Sequence, residues 1–155
     1  MIEIADLLTA RGVVAQLRAG NKRQALQELA RRAAAMSELP ERRIYDVLNE
    51  RERLGSTGIG RGVAIPHGKL AELPRPYGIF GRLERPIPFE AIDAQPVDLV
   101  FVLLTPLDAG PDHLTALSRI SRLLRDEAMC EKLRGASGAD ALYALLATPS
   151  ESHAA

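Results

Sequence analysis

One loop and three side chains in this sequence have the types and spacing for chemistry. The stretch "GSTGIGRGVAIPHGK", Gly55 to Lys69, sets several glycines ahead of a Pro-His-Gly triplet. Glycine-rich loops before a basic residue often hold phosphate, so nucleotide binding is the first chemistry to test. A Walker loop needs G-x-x-x-x-G-K followed by Ser or Thr. Gly55 and Gly60 have that gap, but Arg61 and Gly62 stand where the lysine and the magnesium-holding hydroxyl belong. A dinucleotide loop needs G-x-G-x-x-G between a strand and a helix. Gly58 and Gly60 match, but Val63 takes the third position, and here a helix precedes the loop and a strand follows it. Both nucleotide motifs fail. The alternating Gly58, Gly60 and Gly62 can still adopt positive φ, and successive backbone N–H groups can form an anion-binding nest. The alternative is a tight surface loop with no ligand.

The residue after the loop raises a second chemistry. His67 follows a predicted strand and Pro66, which fixes its own φ and biases Ile65 toward extended backbone. Gly68 leaves room beside the imidazole. A neutral imidazole can attack an electrophile or take a proton; equally, it can do no more than hydrogen-bond a carbonyl. His113 opens a predicted helix beside Asp112 and, four residues before Leu117, falls on its inward face. There it can add a donor to an anion at the positive helix end, or pair with Asp112 or a carbonyl. Arg51 lies seven residues after Ile44 and three after Leu48, so it follows an apolar stripe. Its planar fork suits a phosphoryl group, unless its stem snorkels to solvent.

Other chemistries fit this set poorly. His67 and His113 lack a third metal ligand at recognisable spacing, and no G-x-S-x-G elbow is present for a serine hydrolase. Transient phosphorylation of a histidine fits better. It requires a neutral nucleophilic nitrogen and donors for three phosphoryl oxygens. It requires no cofactor, nucleotide or metal if the phosphate arrives from another phosphoprotein.

The elements that must position these residues follow from pattern. Gly12–Leu17 reads as a strand. Asn21, with Gln24 three residues on, has a capping-box arrangement for a helix striped by Leu26, Leu29, Ala30 and Ala33. Pro40 suits the first turn of a second helix, striped by Ile44, Val47, Leu48 and Leu54 and ended at Gly55. Val63–Ile65, "YGIFGRL" and "VDLVFVLL" read as strands, the last apolar on both faces and therefore central. "ERPIPFEAIDAQP", with three prolines, belongs to loop or edge structure. A helix from about Asp112 carries Leu114, Leu117, Ile120, Leu123 and Leu124 on its stripe; another spans Asp126–Arg134, and "SGAD" caps a last one through Ala147. The predicted order is β-α-α-β-β-β-α-α-α: an α/β protein, a single domain over residues 1–148 with a mixed parallel and antiparallel sheet flanked by helices. Residues 149–155 form a small polar tail, expected to be flexible, and His153 within it is expected to be solvated.

Composition agrees. The 155 residues suit one domain that buries roughly two-thirds of its unfolded surface. Twenty Lys plus Arg balance twenty Asp plus Glu, so there is no electrostatic case for nucleic acid or an anionic membrane. With three Phe, three Tyr and no Trp, base-stacking platforms are poorly supplied. A single cysteine, Cys130, excludes an internal disulfide and suits a cytoplasmic protein. No apolar stretch approaches the ~18 residues of a membrane span, and the acidic N-terminus does not read as a signal peptide.

"STGIGRGVAIPHG", with "RERLGSTGIG" upstream and "PIPFEAIDAQPVDLVFVLL" and "DHLTALS" downstream, resembles the mannitol/fructose-type enzyme IIA domains of the bacterial phosphotransferase system, above all the stand-alone nitrogen-regulatory branch. The resemblance spans about residues 1–148. It implies that His67 is the phosphorylated residue, through its Nε2, and that His113 and Arg51 are the family's second histidine and its arginine. Phosphate contacts are expected from Ser56, Thr57, Gly58 and Gly60. The implied donor is the phosphocarrier HPr or its nitrogen-branch paralogue. The implied output is regulatory, on nitrogen metabolism and potassium homeostasis, through partners such as potassium transporters or sensor kinases. Sugar-transporting chains pass phosphate on to a domain with a reactive cysteine, whereas Cys130 sits mid-helix in "EAMCEKL" without the basic surroundings of a thiolate.

Overall fold

The computed structural model describes residues 3–148; the tail from 149 and His153 lie outside the described residues. The elements run α1 (Ile4–Leu7), β1 (Leu8–Leu17), α2 (Lys22–Ser37), α3 (Glu41–Arg53), β2 (Gly58–Gly60), β3 (Val63–Ala64), β4 (His67–Leu70), β5 (Tyr77–Ile87), β6 (Val97–Pro106), α4 (Pro111–Arg125), α5 (Glu127–Gly135) and α6 (Ala139–Leu146).

The apolar run in β6 makes it the spine of the sheet. Every residue from Leu99 to Thr105 is buried, as a strand covered on both faces requires. The strand order is β1-β5-β6-β3-β2, with β4 also on β6. The β5–β6 and β2–β3 pairs are antiparallel; β1–β5, β3–β6 and β4–β6 are parallel. The sheet is mixed, as expected. The period-two alternation of β6 divides the core. Val100, Val102 and Leu104 pack with Leu26, Leu29, Ile44 and Leu48 of α2 and α3. Leu99, Phe101 and Leu103 pack on the opposite face with Ile120, Leu124, Leu133 and Leu142 of α4, α5 and α6. Helices thus flank both faces.

Local signals explain most boundaries. Asn21 Oδ1 accepts from Gln24 N–H at 2.9 Å, while the Gln24 side chain reaches back to Gly20 N–H at 2.7 Å, one residue beyond the reciprocal bond of a capping box. Pro40 is the N-cap of α3, one position before the first turn predicted for it. Gly138, with no side-chain cap, begins α6 where "SGAD" suggested a capping side chain. β5 continues into the proline-rich stretch as far as Ile87.

Three elements escape the sequence pattern. α1 is too short to show periodicity, and is closed by a reciprocal Glu3–Asp6 capping box. β2 is two glycines around Ile59, without side-chain alternation. β4, "HGKL", has no strand pattern and is a strand because β6 offers it a free edge. Two stripe assignments are also corrected. Leu54 is 85% exposed because α3 ends at Arg53, and the buried position there is Glu52. Leu114 is 69% exposed because the inward line of α4 runs His113, Ala116, Ile120, Leu123 and Leu124. Leu48→Ala is expected to cost about 2–5 kcal/mol in chemical denaturation, whereas Leu54→Ser and Leu114→Ser should each stay within about 0.5 kcal/mol of the parent.

Candidate functional site

The site starts at a break in a strand. β3 and β4 lie along the same edge of β6 in continuous register, with Ala64 opposite Val100 and His67 opposite Leu103. Pro66 has no N–H to give the ladder, so the regular pairing lapses over Ile65–Pro66. The Pro66 carbonyl still accepts from Leu103 N–H at 2.9 Å, which holds the line. His67 is therefore the first residue of a strand, not the last residue after one. The lapse turns the Ile65 carbonyl back onto His67 Nδ1 at 2.8 Å. A carbonyl only accepts, so Nδ1 carries the ring proton and the neutral ring presents its lone pair at Nε2.

Arg51 meets that lone pair. Its Nε–H donates to His67 Nε2 at 3.3 Å, and its Nη1 donates to the Gly55 carbonyl at 2.8 Å. The bond to Gly55 ties the guanidinium to the end of its own helix, so it does not snorkel away. What brings Arg51 so close is Gly68. A Cβ on Gly68 would lie 2.3 Å from Val47 Cγ1. The space beside the imidazole that glycine provides is thus filled by α3. Val47 and Arg51, four residues apart, share a helix face, as His67 and Gly68 share a strand end.

His113, third residue of α4, is 7% exposed. Its ring lies 5.7 Å from that of His67, centroid to centroid, tilted by 53°. Its Nδ1 pairs with Thr105 Oγ1 at 2.6 Å. Neither Asp112 nor a carbonyl is the partner, and Asp112 is exposed. Both imidazoles are held below their ordinary value of 6.5. For His67 the cause is burial first, with the Arg51 charge adding to it and the Ile65 carbonyl and Glu52 opposing. For His113 it is burial, then His67 and Lys69. Both are neutral at pH 7.

The glycine loop differs from the open nest expected of it. Gly58–Gly60 is a strand, and Arg61 (φ 57°) and Gly62 (φ 84°) form the two-residue turn into β3. An anion already sits on that turn, and it is the protein's own. The Asp93 carboxylate accepts from Arg61 N–H at 2.8 Å and Gln95 N–H at 3.1 Å, bonds that hold its pKa below the usual carboxylate range. Ser56 Oγ donates to the Phe89 carbonyl at 2.6 Å and accepts from Gly58 N–H at 3.1 Å. Thr57 gives its N–H (3.1 Å) and its hydroxyl to Glu52. Gly60 lies against Asp93, 3.4 Å from where a Cβ would stand to the carboxylate. The Ser56 hydroxyl, both Thr57 donors and the Gly58 N–H thus have partners inside the chain, and Gly60 faces a carboxylate.

Glu52 is the residue that sequence reasoning missed. Its side chain, 4% exposed, also takes Lys22 Nζ at 2.8 Å, and Lys22 lies 4.8 Å over the Phe89 ring. The signal was available: Glu52 falls four residues after Leu48, on the buried line of α3.

The family described as phosphoenolpyruvate-dependent sugar phosphotransferase system, EIIA 2, matches residues 6–148. The chain belongs to that family. Within it, the chain is similar to a nitrogen regulatory protein from Bradyrhizobium diazoefficiens, 53% identical over 94% of this chain and 95% of that one. The crystal structure of nitrogen regulatory protein IIA-Ntr from Neisseria meningitidis superimposes with a TM-score of 0.88 at 35% identity, covering 92% of this chain and 98% of that one. IIA mannitol from Escherichia coli shares the fold at a TM-score of 0.76 and 19% identity, covering 90% of this chain and 98% of that one. Membership in the EIIA 2 family implies phosphoryl transfer through a histidine.

Two outcomes follow for this family member. Because both imidazoles titrate below 6.5 when folded, the unfolded chain binds more protons just below that pH. Stability is therefore indifferent to them above pH 6.5 and falls as pH drops through the window beneath it; histidine NMR titration should place both midpoints below 6.5, and a midpoint at or above it contradicts the assignment. Gly68→Ala should cost about 1–3 kcal/mol through overpacking against Val47, with part recovered in the Gly68→Ala/Val47→Ala double variant, measured by denaturation.

Proposed function

We propose that this chain is a cytoplasmic phosphocarrier of the nitrogen-related phosphotransferase system that accepts a phosphoryl group on His67 Nε2 from an HPr-type phosphoprotein. The observation that carries the reading is the opposed placement of Ile65 and Arg51 on the two nitrogens of one half-buried ring. The carbonyl fixes the proton on Nδ1. The guanidinium discourages protonation of Nε2 and stands where phosphoryl oxygens would arrive.

In the transfer, the Nε2 lone pair attacks phosphorus. A new N–P bond forms, the donor's N–P bond breaks, and its electron pair returns to the donor imidazole. The Nδ1 proton stays in place, and the Ile65 carbonyl shares the positive charge the ring gains. Arg51 moves from the lone pair, held by a long 3.3 Å bond, onto the phosphoryl oxygens. His113 adds a donor from the adjoining helix. Ser56, Thr57, Gly58 and Gly60, whose expected part is phosphate contact, serve the group through the shape of the loop. No metal or other cofactor enters the step.

Docking of the donor is served by apolar residues exposed on the site's own segments. Leu54 follows the helix of Arg51, and Leu107 and Leu114 flank the turn into His113. The phosphorylated form carries about two more negative charges there, enough for a partner, such as a potassium transporter or a sensor kinase, to distinguish the two forms. Cys130 has no part: burial pushes its thiol up, and its sulfur bonds to the Leu124 carbonyl.

Incubation with phosphorylated HPr-type donor should yield one acid-labile phosphate, absent in His67→Ala and transferred slowly to Arg51→Ala. Retained labelling in His67→Ala refutes the assignment. No labelling of the parent protein would leave a non-catalytic regulatory module of the same fold. Leu114→Asp should slow transfer from the donor while leaving the denaturation midpoint unchanged.

A further inference from the structure

Thr105 ends the buried apolar run of β6 with a hydroxyl at full burial. It is 0% exposed and follows the run Leu99–Leu104 at the end of β6. A hydroxyl at such a position needs a hydrogen-bond partner. Among the described residues its partner is His113 Nδ1, at 2.6 Å. Two arrangements of that bond are possible. If Nδ1–H donates to Oγ1, the hydroxyl hydrogen is left buried with no acceptor. If the hydroxyl donates to Nδ1, both groups are satisfied and the neutral ring carries its proton on Nε2.

We propose that Thr105 is a positioning residue that locks His113 in the Nε2–H tautomer, so that the two adjacent imidazoles hold opposite tautomers; its role in transfer rests on the phosphocarrier reading above. A backbone carbonyl, which only accepts, sets His67 as the nucleophile. A hydroxyl, which here donates, sets His113 as a hydrogen-bond donor. The difference matters for an incoming phosphoryl group. An Nε2–H attracts its oxygens, whereas an Nε2 lone pair repels them. The β4–β6 register places Lys69 directly opposite Thr105, and the lysine charge disfavours a doubly protonated His113, so the ring has one proton to place. The sequence neighbourhood of His113 does not carry this information. It arises because β6 ends beside the first turn of α4.

The test is nitrogen-15 NMR of the imidazoles near pH 7.5, with rates of phosphoryl acceptance from phosphorylated HPr-type donor, on the parent protein, Thr105→Val and Thr105→Ser. The parent should show an unprotonated Nδ1 and a protonated Nε2 at His113, and the reverse at His67. Thr105→Val, nearly isosteric, should lose the His113 pattern, keep that of His67, and accept phosphate about tenfold more slowly, a barrier increase of about 1.4 kcal/mol. Thr105→Ser should restore both readouts. A parent His113 protonated on Nδ1 overturns the proposal, as does a Thr105→Val protein that transfers at the parental rate. A slow Thr105→Val that Thr105→Ser does not rescue, with the His113 tautomer unchanged, reports packing and also overturns it. A parent protein that takes no phosphate refutes the phosphocarrier reading and the positioning role with it, whereas labelling of the parent combined with any of the preceding failures refutes Thr105 alone.

Discussion

The close approach of α3 to β4 at Gly68 is the contact on which the site depends. A helix normally keeps its distance from a strand because side chains stand between them. Here Val47 fills the place where a Cβ on Gly68 would be, so Arg51, one turn further along α3, is delivered to His67 Nε2. The strand is equally constrained. Pro66 breaks the β3–β4 line without shifting its register, and the carbonyl freed by the break orients His67. One proline and one glycine, on either side of the histidine, thus determine which nitrogen carries the proton and which meets the arginine. Hydrophobic burial on the two faces of β6 supplies the stability that sustains this crowding.

The electrostatics follow from partial burial. Both imidazoles lose hydration and stay neutral, which is the nucleophilic state for His67 and leaves His113 with one proton to place. Beneath them, Lys22, Glu52 and Thr57 form a buried polar group in which every partner is used. Such a buried pair contributes little net stability, but removing one member leaves an uncompensated charge, so it ties α2, α3 and the start of the glycine loop into one arrangement. Asp93 performs a similar service at the loop's turn. Its carboxylate takes the Arg61 N–H at the turn, while Arg51 and His113 are the polar side chains that stand beside the His67 ring.

On the proposed reading, a phosphoryl group held this way needs neither nucleotide nor metal, because its energy arrives already stored in the donor's N–P bond. The protein's contribution is to keep one lone pair available and to offset charge when the group arrives. The exposed leucines near Arg51 and His113 fit the same proposal: a transient donor requires an apolar surface that is covered only during the encounter.

Much of this was legible in the residues. The failed Walker and dinucleotide patterns, Pro66 before His67, Arg51 on the stripe of α3 and His113 on the inward face of α4 each follow from spacing, because helical and strand periods are local properties of the chain. The central place of β6 was legible for the same reason: a strand apolar on both faces has to be covered on both. The rest depended on neighbours distant in sequence. β4 is a strand only because β6 presents an edge. The turn of the glycine loop holds an internal carboxylate only because Asp93, some thirty residues on, reaches the Arg61 N–H. Leu54 and Leu114 belong to apolar patterns but are left outside by the ends of their helices. The sequence by itself determined which residues could carry the chemistry; the tertiary structure decided which atom of each faces the reaction, because a proton's place on an imidazole is set by the hydrogen-bond partner that packing brings to it.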